Sequence, residues 1–208
     1  HKSQEELEML ARKKVKHLYL GIESGLDDVL KFMKKDHDLA QAYQAIDRLH
    51  GAGLIYDAHI MTGVAGKGRG MENAEALAQF LNRTNPAHVV NFSMFLHKEV
   101  PLYQDIRQGT FVPADELETI REEYHLIERI APEKAGANIL YDGFHDFIHV
   151  RVRGHLPGDK EKMLAKLNGI IQEYEGKEPV YSFVQGECPD LEYCDDGKAV
   201  WDMDRKTS

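Results

Sequence analysis

Leu54 to Arg69, LIYDAHIMTGVAGKGR, carries an apolar strand pattern straight into a loop with glycines at 63, 66, 68 and 70. Two similar runs flank it, HLYLGIESG from residue 17 and HVVNFSMFLH from residue 88, with helical patterns between them. Strand starts about 35 residues apart leave room for one crossover helix each, which is the spacing of parallel βα units. In folds built that way, ligands gather at the carboxyl ends of the strands, where loops vary above a fixed sheet. The glycine loop is therefore the first place to look for chemistry.

The segments between the strands fit this order. Glu5 to Lys16 places Leu7, Leu10 and Val15 at helical intervals, and Leu39 to His50 does so with Leu39, Ala42, Tyr43, Ile46 and Leu49 before stopping at Gly51 and Gly53. MENAEALAQFLNRTNP forms a stripe of Ala74, Leu77, Ala78 and Leu81 that ends before Pro86. A long helix is predicted over 115–130, with Leu117, Ile120, Tyr124 and Ile127 inward and Glu116, Glu118, Glu122 and Glu123 on solvated surface. Another is predicted over 159–174, and the acidic stretch after Pro179 reads as loosely ordered.

At 208 residues and 42% hydrophobic content the chain can bury a sizeable core. Acidic residues outnumber basic ones 35 to 26 with the cations scattered, so a direct nucleic-acid partner is not expected. No apolar run is long enough for a membrane span and no leader pattern is read, so a cytoplasmic setting is expected. Cys188 and Cys194, at C-x5-C, read as free thiols.

Strand alternation nominates the side chains. Glu23 faces away from Leu18, Leu20 and Ile22, and a cavity lined by Glu23, His59, Met61 and Asn91 is predicted at the strand ends. A lone strand histidine such as His59 is more often a buried, hydrogen-bonded core residue than a ligand. GVAGKGRG can approach an anion with its backbone N–H groups or serve as a plain βα connection; it fits neither a Walker A loop nor a dinucleotide fingerprint. His145 and His149 stand i,i+4, but Val150 to Val152 favour a strand over the helix a zinc pair needs, so no metal ligand is assigned.

Several of these features in order resemble the second half of a radical S-adenosylmethionine core, in the elongator and methylthiotransferase branch of Fe-S oxidoreductases. The features are the GIESG turn of Gly21 to Gly25, Lys34 and Lys35, Met61 to Gly66, Asn91 to Phe95, and Pro101, Leu102 and Tyr103. The resemblance implies that Glu23 and Ser24 touch the ribose or amino acid part of S-adenosylmethionine. It places Lys35 where an Arg often holds the carboxylate, at the loss of the bidentate fork. Met61 and Gly63, with His59 beside them, would wall the adenine, and the backbone of Phe92 to Met94 would be their partner.

The family's CxxxCxxC loop, which holds a [4Fe-4S] cluster, is missing, and the two tail cysteines cannot replace three thiolates at that spacing. The resemblance thus implies an α/β fragment: a partial (β/α) barrel of about three parallel βα units over 1–131 and a mostly helical extension with an acidic tail over 132–208. The parent enzyme would bind S-adenosylmethionine and the cluster and generate a radical that abstracts hydrogen from an unknown substrate, whereas this chain alone would bind neither. Two other readings stand beside it, an anion-binding α/β protein using GVAGKGRG and a non-catalytic module pairing through open sheet edges as a homodimer.

Overall fold

Alternation in the strands and a 3.6-residue period in the helices sort the apolar side chains onto one side of a single sheet. The computed structural model describes residues 2–184 and the backbone of two short strands, Cys194–Asp195 and Lys198–Ala199, paired antiparallel with each other. Strands β1 (His17–Glu23), β2 (Ile55–Thr62), β3 (His88–Ser93), β4 (Ile139–His145) and β5 (Val150–Leu156) are neighbours in that order. The first four run parallel and β5 returns antiparallel.

Helices α1 (Gln4–Arg12), α2 (Asp27–Phe32), α3 (Leu39–Gly51), α4 (Gly70–Thr84), α5 (Leu102–Arg107), α6 (Glu116–Arg129) and α7 (Lys160–Tyr174) fill the connections. Ser3 with Glu6 and Asp38 with Gln41 close capping boxes on α1 and α3, and Asp115 caps α6 through the N–H of Glu118. Tyr56, Ala58 and Ile60 of β2, Val89 of β3, Tyr141 of β4 and Val152 of β5 form the main core with Ile46, Leu77, Phe80, Ile120 and Leu167 of the helices. One sheet face is therefore covered by helices. The other carries partly exposed His59, Met61, Phe92 and Phe144.

A smaller apolar cluster, Val29, Val64, Ala65, Met94, Leu96, Ile106 and Phe111, sits over the carboxyl ends of the strands. It packs α2, the glycine loop and α5 together, so the loops that would contact a ligand have a core of their own.

The sheet is larger than the sequence reading. Three parallel strands are expected and four stand among the described residues, and residues 132–174, expected as mostly helical, bring β4 and β5 as well as α7. The strand preference of Val150 to Val152 is borne out by β5, whereas in YDGFH the polar members mask the strand periodicity. The segment after Pro179 is also tied down at its start: the N–H of Leu96 donates to Ser182 O at 2.7 Å and that of Val184 to Leu96 O at 2.8 Å. Cys188, the Cys194 side chain and the acidic end of the tail lie outside the described residues.

Candidate functional site

The carboxyl end of β1 departs from strand geometry at Glu23, whose φ of 61° lies in the left-handed region that few non-glycine residues adopt. The register slips there, between Gly21 and Glu23 against β2. The bulge turns the Glu23 carboxylate toward Lys35, whose Nζ donates to it at 3.1 Å, with both side chains about one quarter to one third exposed. An ion pair beside an open sheet face, on a residue held in an unfavourable conformation, has the character of a binding element rather than a stabilising one.

His59 and Met61 lie on the same open face. The His59 ring meets Tyr19 edge-on at 5.0 Å and Phe92 at 6.2 Å, and Met61 is in register with Phe92 and packs against the small apolar cluster. Gly63 begins the loop at φ 82°, and a Cβ there would come within 2.7 Å of Thr119 Cγ2, so the close approach of α6 requires glycine. These residues share one end of the sheet.

Two nominated residues sit elsewhere. Asn91 pairs with Ile60, not Met61, and therefore lies on the helix-covered face, fully buried. Its Oδ1 accepts from the N–H of Thr62 at 3.1 Å and its Nδ2 donates to Glu123 at 3.1 Å. It does not line a cavity with Glu23 and His59, because successive residues of a strand face opposite ways. Ser24 is also buried; its Oγ donates to Asn73 Oδ1 at 2.7 Å, where the Gly25 N–H donates as well at 3.1 Å.

The glycine loop is not an open anion nest. The N–H groups of Gly63 and Gly68 donate to Glu122 and Glu118, those of Lys67 and Arg69 to Val112 O and Gly66 O, and the Arg69 side chain pairs with Asp28 and Glu72. A loop whose amides already hold carboxylates and carbonyls has little left for a phosphate.

Beneath the strand ends lies a network absent from the sequence reading. Glu116, Glu122 and Glu123 of α6 are 1%, 1% and 0% exposed, not surface. Glu122 accepts from Gly63 N–H at 2.8 Å and from Asn73 Nδ2 at 2.7 Å. Since Asn73 Oδ1 is engaged by Gly25, this fixes the amide's orientation. Glu116 and Glu123 bracket His145, with Nδ1 2.9 Å and Nε2 3.1 Å from their carboxylates. Glu123 also accepts from Tyr141 Oη at 2.9 Å, and Glu116 accepts from Ser93 at 3.0 Å and from Ser182.

The electrostatics follow from that packing. Burial opposes charge on His145, but the two carboxylates on its ring outweigh burial and push its pKa up to about 10. With both ring nitrogens facing acceptors, His145 is an imidazolium donating twice. Burial raises Glu116 as well, yet the bonds from His145, Ser182 and Ser93 prevail and hold it below the ordinary range. No cation bonds to Glu122 among the described residues, and burial pushes it up to about 8 despite its two hydrogen bonds and the positive charge of His145. His145 therefore has no nitrogen free for zinc. His149, at φ 55° after a short 3-10 turn, is exposed and does not share a helical face with it.

Thus one helix, α6, anchors the segments after β1, β2 and β3 and the end of β4. A signal for this was present: Glu116, Thr119 and Glu123 fall at helical spacing with Ile120 and Ile127, on one stripe of the helix. Among the described residues, no group of three or more His, Cys, Asp or Glu side chains could hold a metal ion, and no helix is long and apolar enough to cross a membrane.

Residues 2–81 match the radical SAM superfamily model, a span that includes Glu23, Ser24, Lys35, His59, Met61 and Gly63. The matched segment makes up less than half of the chain. In three dimensions it is similar to the archaeal Methanocaldococcus infernus Elp3 with an N-terminal deletion, at a TM-score of 0.57 and 17% identity over 83% of this chain. At that identity the likeness is one of fold, and this chain spans 39% of the length of that protein. No curated protein matches the sequence.

Proposed function

We propose that this chain contributes the S-adenosylmethionine-binding strand ends of a radical S-adenosylmethionine enzyme, with Glu23 and Lys35 receiving the amino acid end of the cofactor. The observation that carries the reading is the Glu23–Lys35 pair itself: a carboxylate and an ammonium 3.1 Å apart at the end of β1, within the family-matched segment. The methionyl group of S-adenosylmethionine bears an ammonium and a carboxylate, and a protein pair of opposite signs complements both. His59 and Met61, on the next strand of the same face, offer a flat and partly apolar wall for the adenine.

An iron-sulfur cluster does not fit the residues of this chain. It requires three thiolates from the protein, and the chain has two cysteines, Cys188 and Cys194. The family implies such a cluster in full-length members, and the reading places its ligands on an upstream part of the same polypeptide.

β1 supports this, because among the described residues it is the edge of the sheet and has one unpaired side. Beside it runs a groove of about 460 Å³ lined by Leu7, Leu18, Leu20 and Ala45, among others. An upstream parallel strand would extend the barrel there; association of two copies through the same edge is the competing outcome. The experiment is to read the frame upstream of His1, express the complete product, and compare S-adenosylmethionine affinity in the parent and in Glu23→Gln and Lys35→Met. A frame without a three-cysteine loop contradicts the reading, and so does unchanged affinity in both variants.

A further inference from the structure

The register of the open sheet face sets side chains in rows, one per strand. The row nearest the carboxyl ends of β2 to β4 is Met61, Phe92, Phe144 and Arg151. Phe92 and Phe144 stack with ring centroids 5.4 Å apart and planes 17° from parallel, and the Arg151 guanidinium lies 4.8 Å above the Phe144 ring. Neither ring is fully buried. Aromatic rings set flat on neighbouring strands, with a guanidinium at one end, form a stacking platform for another planar π system.

The next row supplies charge. Asp142 pairs across the β4–β5 register with Arg153, which lies 3.7 Å away, and accepts two hydrogen bonds from Arg151 at 2.8 and 2.7 Å. Two guanidiniums share one carboxylate, which leaves a positive charge in surplus, and the arginine side chains are 51% and 54% exposed. This surplus stands out in a chain of net charge −9. Arg151 Nε and Nη2 face Asp142, so a carboxylate or phosphate arriving from solvent would meet the remaining N–H groups of the two guanidiniums.

We propose that the β3 to β5 part of this face binds a small planar aromatic molecule carrying an anionic group, its ring on Phe92 and Phe144 and its anion on Arg151 and Arg153. As a statement about a substrate it rests on the reading above, in which this face lines the barrel; as a binding site it stands on the sheet alone. Phe144 is three strands from Glu23, about 14 Å at ordinary strand spacing, so the site adjoins the Glu23–Lys35 pair without using it.

The test is a calorimetric titration of the 208-residue chain with naphthalene-2-carboxylate, naphthalene-2-methanol and acetate as probes. Saturable binding of the naphthoate is expected, about tenfold or more tighter than the alcohol, with no saturation by acetate. Phe144→Leu and the double variant Arg151→Gln, Arg153→Gln should each weaken the naphthoate about tenfold. Asp142→Asn, which releases both guanidiniums, should tighten it, and this gain is readable even if the double variant fails to fold. Equal binding of acid and alcohol overturns the proposal, as does an unchanged or weakened affinity in Asp142→Asn. Sedimentation showing a dimer that excludes the naphthoate also overturns it, by making a second copy the occupant. No S-adenosylmethionine enters the titration, so this site and the cofactor reading can fail separately.

Discussion

Glu122 on α6 accepts a hydrogen bond at 2.8 Å from the backbone N–H of Gly63, the first residue of the glycine loop and 59 positions earlier in the chain. Through Asn73 the same carboxyl also reaches Ser24 and Gly25. The loops after β1 and β2 are thus held from beneath by one side chain. In Glu122→Ala, the Gly63 N–H and the Asn73 amide lose a buried acceptor, and a loss of about 1–3 kcal/mol is expected for the pair. Urea denaturation measures it, and amide exchange at Gly63 should accelerate in parallel. Glu122→Gln should cost less at pH 7, because burial keeps much of the native carboxyl neutral there.

Stability should fall as pH rises from 6 to 10. His145 has its folded pKa raised from 6.5 to about 10, so its contribution is complete below pH 6.5 and is lost as pH climbs through 10. Glu122, raised from 4.5 to about 8, acts in the same direction, since its neutral form is the one the fold prefers. Glu116 lies below its ordinary value and acts oppositely, losing its contribution on acidification below 4.5. Thermal melts at pH 6, 8 and 10 should show a decline of roughly a few kcal/mol; a flat profile would contradict the buried imidazolium.

Asn91→Ala tests the reassignment of that residue. The substitution leaves the Thr62 N–H without its side-chain acceptor and removes one of the donors to Glu123, and should cost about 1–3 kcal/mol in denaturant titrations. It should leave S-adenosylmethionine affinity of the complete product unchanged once both proteins are folded. A large affinity loss at equal stability would return Asn91 to the ligand side.

Gly143→Ala should be among the most damaging single changes. A Cβ at Gly143 collides with the Glu123 carboxylate, which is fully buried and bonded to Tyr141 and His145. Neither strand nor helix can give way without opening the network, and a loss on the order of 3 kcal/mol is expected by chemical denaturation.

Strand order, parallel pairing and the β1 to β3 faces were legible because apolar alternation is a local signal. Leu18, Leu20 and Ile22 point one way and Glu23 the other in both sequence and structure. β4 and β5 were harder: Asp142, His145, Arg151 and Arg153 interrupt the apolar pattern, and their partners lie on other strands and on α6. The buried glutamates were illegible for a related reason. A carboxylate reads as surface unless its partner is known, and the partner of Glu116 and Glu123 is a histidine 29 and 22 residues away. Glycine supplied the opposite error, since GVAGKGRG has the composition of an anion loop while Glu118 and Glu122 already occupy two of its amides.

The Glu23–Lys35 assignment is tested most directly by the affinity of the complete gene product for S-adenosylmethionine, measured by anaerobic calorimetry after reconstitution with iron and sulfide. The parent should bind with one site, and Glu23→Gln and Lys35→Met should each weaken binding about tenfold or more with the melting temperature little changed. Affinity unaltered by either substitution would contradict the assignment of this pair to the amino acid end of the cofactor.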